Sequence, residues 1–262
     1  MLELYHHFLS TCSQKVRLVL AEKGLDYESH WIDLIQGEQH APAYVKLNPN
    51  HVVPTLVHDG HVLIESTLIN EYLDEVFAEP SLVPSDPLSR HAMRLWTKRV
   101  DSQVHPCAGV ITFGIGTRPM ILQRTPEEIE LSVQAIPDPA RREARRSVIE
   151  HGIKAPEMQG AIRTFVSMLD DMEEALAGRA FLVSDDFSLA DACLLPYVLR
   201  LDHLAMRPLI EARLRVAAWF ERIQRRDSYE VAVSEFVPEP LVQSFRRHGE
   251  EVFGEVQAML AD

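Results

Sequence analysis

Val53-Pro54-Thr55-Leu56-Val57-His58-Asp59-Gly60-His61-Val62-Leu63-Ile64-Glu65-Ser66-Thr67 reads as a hairpin running into a helix start. Pro54 cannot donate to a sheet ladder, so it belongs at the head or the edge of a strand. Val53, ahead of it, is held extended. Asp59-Gly60 between two apolar runs is a two-residue turn signal. Ser66 offers a hydroxyl to cap a helix. Ile69, Tyr72, Leu73, Val76 and Phe77 then make that helix's apolar face. Outward from this stretch, residues 2–7 predict a strand, 13–24 a helix stopped by Gly24, 27–34 a second strand, and 40–47 a short helix. The order β-α-β-α-β-β-α builds a mixed sheet with helices on its faces, a small α/β domain over residues 1–78.

Residues 79–88 hold three prolines in ten positions and read as a linker. An all-helical domain over 89–262 is expected next. A long helix at 91–113 uses Met93, Trp96, Val100 and Val104. Residues 114–157 read as irregular, broken by prolines and glycines and by the run Arg141-Arg142-Glu143-Ala144-Arg145-Arg146, taken as a solvated face. A stripe from Ile162 to Leu176 marks a helix. Ser188-Leu189-Ala190-Asp191 is a capping box, with Phe187 as its staple, opening a helix to about residue 201. Two further helices fit 209–225 and 240–260.

The chain has 262 residues, a formal net charge of −13, 46% hydrophobic and 25% charged residues. That balance is poorly suited to neutralising phosphates, so nucleic acid is not an expected partner. No apolar run approaches the ~18 residues of a membrane helix, so no membrane is expected either. Three cysteines, Cys12, Cys107 and Cys193, imply neither zinc nor a disulfide framework and suit reduced, cytoplasmic thiols. The twelve histidines show no metal-binding spacing, and no metal site is expected.

The chemistry concentrates at three points. Ser10-Thr11-Cys12-Ser13 lies where a strand ends and a helix begins, and a helix N-terminus stabilises anions, a thiolate included. The backbone of Val53 beside Pro54 suits pairing with an extended peptide. Glu65 suits an ammonium group, and the hydroxyl and amide of Ser66 a carboxylate. Each piece alone is equally a cap or a strand start. Tyr5 reads as core packing within its strand. Phe113, Ile115, Met120 and Leu122 suit either a pocket wall or core.

Together, in this order, these motifs resemble the glutathione S-transferases, over essentially the whole chain. The resemblance is to theta- and zeta-like members, most of all the bacterial β-etherase type. It rests further on Glu22-Lys23-Gly24-Leu25, Leu47-Asn48-Pro49-Asn50, Glu65-Ser66-Thr67 and Thr97-Lys98-Arg99-Val100-Asp101. It implies a thioredoxin-like N-terminal domain followed by an all-helical C-terminal domain that contributes the electrophile pocket. It implies Ser10 as the donor to the thiolate of glutathione, the co-substrate. Val53-Pro54 would be the cis-proline element, Glu65-Ser66 the γ-glutamyl pair, and Gln39 and His40 the glycine end. The second substrate would be a small hydrophobic or aromatic electrophile, and the assembly a homodimer. Cys12 is the rival to Ser10 for the catalytic role. The alternatives are a non-catalytic scaffold of this fold and a Cys12-dependent thiol-disulfide or dehalogenating enzyme.

Overall fold

The computed structural model describes residues 1–261 and divides into two compact units. The first comprises Met1–Lys98, Gly178–Pro196 and Trp219–Val237, and the second the remaining segments. In the first unit, β1 (Leu2–His6), α1 (Thr11–Glu22), β2 (Glu28–Trp31), α2 (Pro42–Val45), β3 (Thr55–His58), β4 (His61–Leu63) and α3 (Ser66–Val76) follow in the expected order. The sheet order is β2-β1-β3-β4. Strand β1 runs parallel to β2, pairing Glu3 with Glu28, and antiparallel to β3, pairing Leu4 with Leu56. The Asp59-Gly60 turn closes β3 onto β4, with both turn residues at positive φ.

One face of the sheet carries α1 and α3, which pack together. Val16, Val19, Leu20, Ile69 and Leu73 are buried there. A smaller cluster of Ile32, Tyr44 and Val53 packs with Tyr5, Leu34 and Leu47. Tyr5 thus belongs to packing, its ring stacked on His30 at 4.4 Å.

The Glu22-Lys23-Gly24 sequence is explained by its partners. Glu22 takes a two-pronged bond from Arg226 at 2.6 and 2.7 Å. The fully buried Lys23 ammonium pairs with Asp74 at 2.7 Å and donates to the carbonyls of Phe77 and Pro80. Gly24 ends the helix at φ +61°, where a side chain would be strained. In the same unit, Ser188 and Asp191 close the expected capping box. The buried Asp191 carboxylate also accepts from Leu182 N at 3.0 Å and Trp219 Nε1 at 2.9 Å.

The helices α4 (Pro87–Arg99) and α5 (His105–Ile111) are separated by a π-helical turn at Val100–Val104, and α5 runs into another at Thr112–Thr117. The expectation of irregular backbone over 114–157 is overturned. This stretch holds α6 (Arg118–Ile121), α7 (Pro126–Gln134) and α8 (Pro139–His151). Pro119, Pro126 and Pro139 stand in the first turn of a helix, where an N–H has no intrahelical partner to lose. Pro126 follows the Thr125 cap, whose box with Glu128 is complete, and Pro139 follows the Asp138 cap. Gly114 and Gly116 lie in the second π turn because space is short: a Cβ on Gly116 would stand 3.0 Å from Phe245. The arginine run is only partly solvated. Arg145 lies over the Phe113 ring at 3.0 Å, and burial, with Arg141 nearby, holds its pKa down at about 9. The chain continues through α9 (Met158–Ala175), α10 (Leu189–His203), α11 (Arg207–Glu211), α12 (Leu214–Gln224), α13 (Asp227–Tyr229), a π turn at Glu230–Ser234, and α14 (Glu239–Ala261).

Candidate active site

Ser10 is the N-cap of α1, which begins at Thr11, two residues earlier than expected. Its Oγ accepts from Ser13 N at 3.1 Å and donates, over a long 3.5 Å, to Val53 O. One lone pair is therefore fixed by the cap, while the proton is only loosely held. The Val53-Pro54 bond is cis. The first two of the three expected elements thus meet directly.

The segment before Pro54 is the hub of the site. Asn48 Nδ2 and Tyr44 OH both donate to Val52 O, at 2.9 and 2.7 Å, and both contact Thr55 Oγ1. These bonds hold the backbone of residues 48–55 from below. Asn50 reaches Glu65 Oε1 at 3.4 Å. His51 Nδ1 meets His40 Nδ1 at 2.9 Å, and Gln39 Nε2 lies 3.1 Å from His40 Nε2. In the His40–His51 pair one imidazole nitrogen donates and the other accepts. Gln39 Oε1 is buried with no partner.

Glu65 corrects one expectation. It, and not Ser66, occupies the N-cap position of α3, and Ser66 is the first helical residue, buried. Glu65 sits at φ +70°, ψ 101°, an unfavourable backbone for a residue with a side chain. Its side chain makes no cap bond to the α3 amides, and its exposed carboxylate accepts from Asn50 instead. Lys15, fully buried, donates to Thr67 Oγ1 at 2.9 Å and ties α1 to the first turn of α3.

Cys12 is half-buried on the first turn of α1, two residues beyond Ser10. None of the three cysteines is in a disulfide. Cys193 is buried, and burial pushes the Cys107 thiol up. Elsewhere in the first unit, Glu3, Glu28 and His30 converge, with His30 Nε2 3.2 Å from Glu3 and 3.5 Å from Glu28. The parallel β1–β2 register accounts for this as a cross-strand cluster of polar side chains.

Asn48, Asn50, His51, Tyr44 and Lys15 were not singled out from sequence. Leu47-Asn48-Pro49-Asn50 enters the sequence reading only as part of the resemblance. The pairing of His51 with His40 across the loop has no sequence signal.

The family description "Glutathione S-transferase, N-terminal domain" matches residues 9–76, and "Glutathione S-transferase, C-terminal domain" matches 141–222. Protein LigF of a Sphingobium species is 35% identical over 73% of this chain and 76% of its own. The crystal structure of the β-etherase LigF superposes with a TM-score of 0.81 at 31% identity, covering 89% of this chain and 99% of that one. The tetrachloro-p-hydroquinone reductive dehalogenase of Sphingobium chlorophenolicum is 30% identical over 87% of this chain and 94% of its own. Mouse maleylacetoacetate isomerase is 31% identical over 74% and 76% respectively. With both domains matched and such relatives sharing most of its length, the chain belongs to the glutathione S-transferase family and is one of its enzymes.

Proposed function

We propose that this transferase holds glutathione along residues 50–54 and uses Ser10 to keep the bound thiol ionised for attack on an aryl ether. The observation that carries the reading is the convergence of one short segment, residues 50–53, on the other expected site residues: Val53 on Ser10, His51 on His40, and Asn50 on Glu65. The residues fit a zwitterionic tripeptide. The Glu65 carboxylate takes the ammonium, and the amides of Ser66 and Thr67 take the γ-glutamyl carboxylate. The Val53 backbone pairs with the cysteinyl unit. The His51 imidazole meets the glycyl carboxylate, and the orphaned Gln39 Oε1 accepts an amide proton. Residues 1–78 supply this half of the site, and residues 89–262 the electrophile pocket.

Glutathione supplies the nucleophilic sulfur. Ser10 donates its loosely held proton to that sulfur, and the N-terminus of α1 adds its partial positive charge. Depressing the thiol pKa by about two units corresponds to roughly 2.7 kcal/mol. A C–S bond forms at the ether carbon as the C–O bond breaks, and the electron pair leaves with a phenolate. The likeness to a β-etherase supports this substrate class. Exposed Leu88 and Leu95 on α4 and Leu68 on α3 support a homodimer. Among the described residues no helix is long and apolar enough to cross a membrane. The three cysteines, none of them in a disulfide, suit a reducing compartment, and on that ground we infer a cytoplasmic enzyme.

Incubation with glutathione and a panel of β-aryl ethers and halogenated aromatics tests the reading. Phenol release matched by an equal amount of glutathione thioether is expected. Turnover of the halogenated compounds alone would exclude ether cleavage. The dehalogenase relative gives the Cys12 reading its support. A glutathione adduct on Cys12, found by mass spectrometry during turnover, is the result that would favour it.

A further inference from the structure

Strand pairing, not sequence spacing, brings Glu3, Glu28 and His30 together. In the parallel register of β1 and β2, Glu3 stands opposite Glu28 and Tyr5 opposite His30. Alternate residues of a strand share a face, so all four side chains stand on one side of the sheet. One oxygen from each carboxylate and one imidazole nitrogen of His30 lie within 4.8 Å of one another. His30 Nε2 is 3.2 Å from Glu3 Oε2 and 3.5 Å from Glu28 Oε1. All three groups are reachable from solvent: the side chains of Glu3, His30 and Glu28 are 25%, 29% and 55% exposed, and β2 is an edge strand.

What the cluster lacks is a cation that serves both carboxylates. Like charges in directly opposed positions repel. Among the described residues neither Glu3 nor Glu28 has a lysine or arginine partner. His30 Nε2 carries at most one proton and can donate it to one carboxylate at a time. The donor atoms are nevertheless held in place. The His30 ring is stacked on Tyr5 at 4.4 Å and 15°. Burial, with Glu3 and Glu28, pushes the Tyr5 phenol up, so Tyr5 keeps its proton and donates it, over a long 3.5 Å, to Glu3 Oε2. Outer partners of this kind orient the carboxylates and imidazoles that bind metals.

The donor set selects the ion. Zinc takes imidazole nitrogen and carboxylate oxygen at about 2.0–2.2 Å, which puts neighbouring donor atoms roughly 3.0–3.5 Å apart. Both distances from His30 match that spacing, and the Glu28 side chain, more than half exposed, has the freedom to close the third. Magnesium and calcium prefer shells made of oxygen alone.

We propose that Glu3, Glu28 and His30 bind one zinc ion, with water completing a four-coordinate shell, and that the ion clamps edge strand β2 to β1. The site uses none of the residues assigned to glutathione.

Calorimetric titration of the chelator-stripped full chain with zinc chloride tests this. One zinc per chain should bind with a micromolar Kd, and magnesium chloride over the same range should give no binding. Glu28→Gln, an exposed change that keeps the side chain's size, should raise the zinc Kd at least about tenfold while leaving glutathione turnover unchanged. His30→Gln should do the same to the Kd. Cobalt chloride in place of zinc should give the visible absorption of a nitrogen and oxygen shell without a thiolate charge-transfer band, which separates this site from Cys12, Cys107 and Cys193. No zinc binding, a magnesium response equal to that of zinc, or a thiolate band would each overturn the proposal. So would an unchanged Kd in Glu28→Gln, which would place the ion elsewhere, as at the His40–His51 pair. Should His30→Gln fail to fold, Glu28→Gln and the cobalt spectrum still decide the matter.

Discussion

Replacing Ser10 with alanine removes two bonds with separable consequences. The first is the cap: Oγ accepts from Ser13 N at 3.1 Å. Losing a serine N-cap costs about 1 kcal/mol, or roughly 2–4 °C in Tm for a chain near this size. The second is the donor. In the structure the hydroxyl proton rests on Val53 O at 3.5 Å, near the outer limit of a hydrogen bond. Little is surrendered when it turns to a thiolate. A hydrogen bond to a charged group contributes about 1.5–3 kcal/mol, which is about 1–2 pKa units on the bound thiol. The pH–rate profile at saturating glutathione should therefore shift upward by about 1–2 units in Ser10→Ala, with turnover well below the inflection falling roughly 10- to 100-fold. Ser10→Thr retains both cap and hydroxyl and should keep the wild-type inflection. The assay is turnover of a chromogenic aromatic electrophile from pH 5.5 to 9.5. An Ser10→Ala enzyme with the wild-type inflection and turnover within twofold would refute the assignment, whatever its Tm, and would turn attention to Cys12.

Three other outcomes follow from the same structure. Glu65→Gln keeps the shape of the exposed side chain that faces Asn50 but removes its charge. The KM for glutathione should rise about fivefold, the equivalent of ~1 kcal/mol, with kcat little changed; an equal fall in kcat would place Glu65 in the chemical step instead. Asp191→Ala strands the N–H groups of Leu182, Ser188 and Trp219 in the interior. At about 1–3 kcal/mol each, the loss should exceed ~3 kcal/mol and lower Tm by roughly 6 °C or more by circular dichroism; a change under ~2 °C would contradict it. His6 and His203 are held near 3, mainly by burial. The unfolded chain takes up protons there that the folded chain refuses, so stability is complete above about pH 6.5 and falls as pH drops from 6.5 toward 3, each histidine contributing a slope of up to about 1.4 kcal/mol per pH unit. Urea unfolding at pH 7 and pH 5 measures this, and equal stabilities would refute it.

The sheet was legible because its signals are local. Pro54, Asp59-Gly60 and the apolar face of α3 each dictate their own backbone, and the cap at Ser10 follows from one side chain and one amide. The helices of 114–157 were misread because proline punctuates both loops and helix starts. Only the capping of Thr125 and Asp138, seen in three dimensions, separates the two. Ser66 was assigned the cap because serine favours it. The strained backbone of Glu65 displaced it, and no propensity scale anticipates a residue held against its preference. The hub of the site was half visible. Val53-Pro54 announces itself, whereas His51, Asn50 and Lys15 act through partners 11, 15 and 52 residues away. The charge run at 141–146 looked solvated because composition does not reveal that Arg145 finds the Phe113 ring.

Isothermal titration of the wild-type protein with reduced glutathione tests the central claim most directly. Saturable binding with one site per chain is predicted, accompanied by proton release near neutral pH as the bound thiol ionises, with that release diminished in Ser10→Ala. Absence of binding at millimolar glutathione, or binding without proton release, would contradict the account.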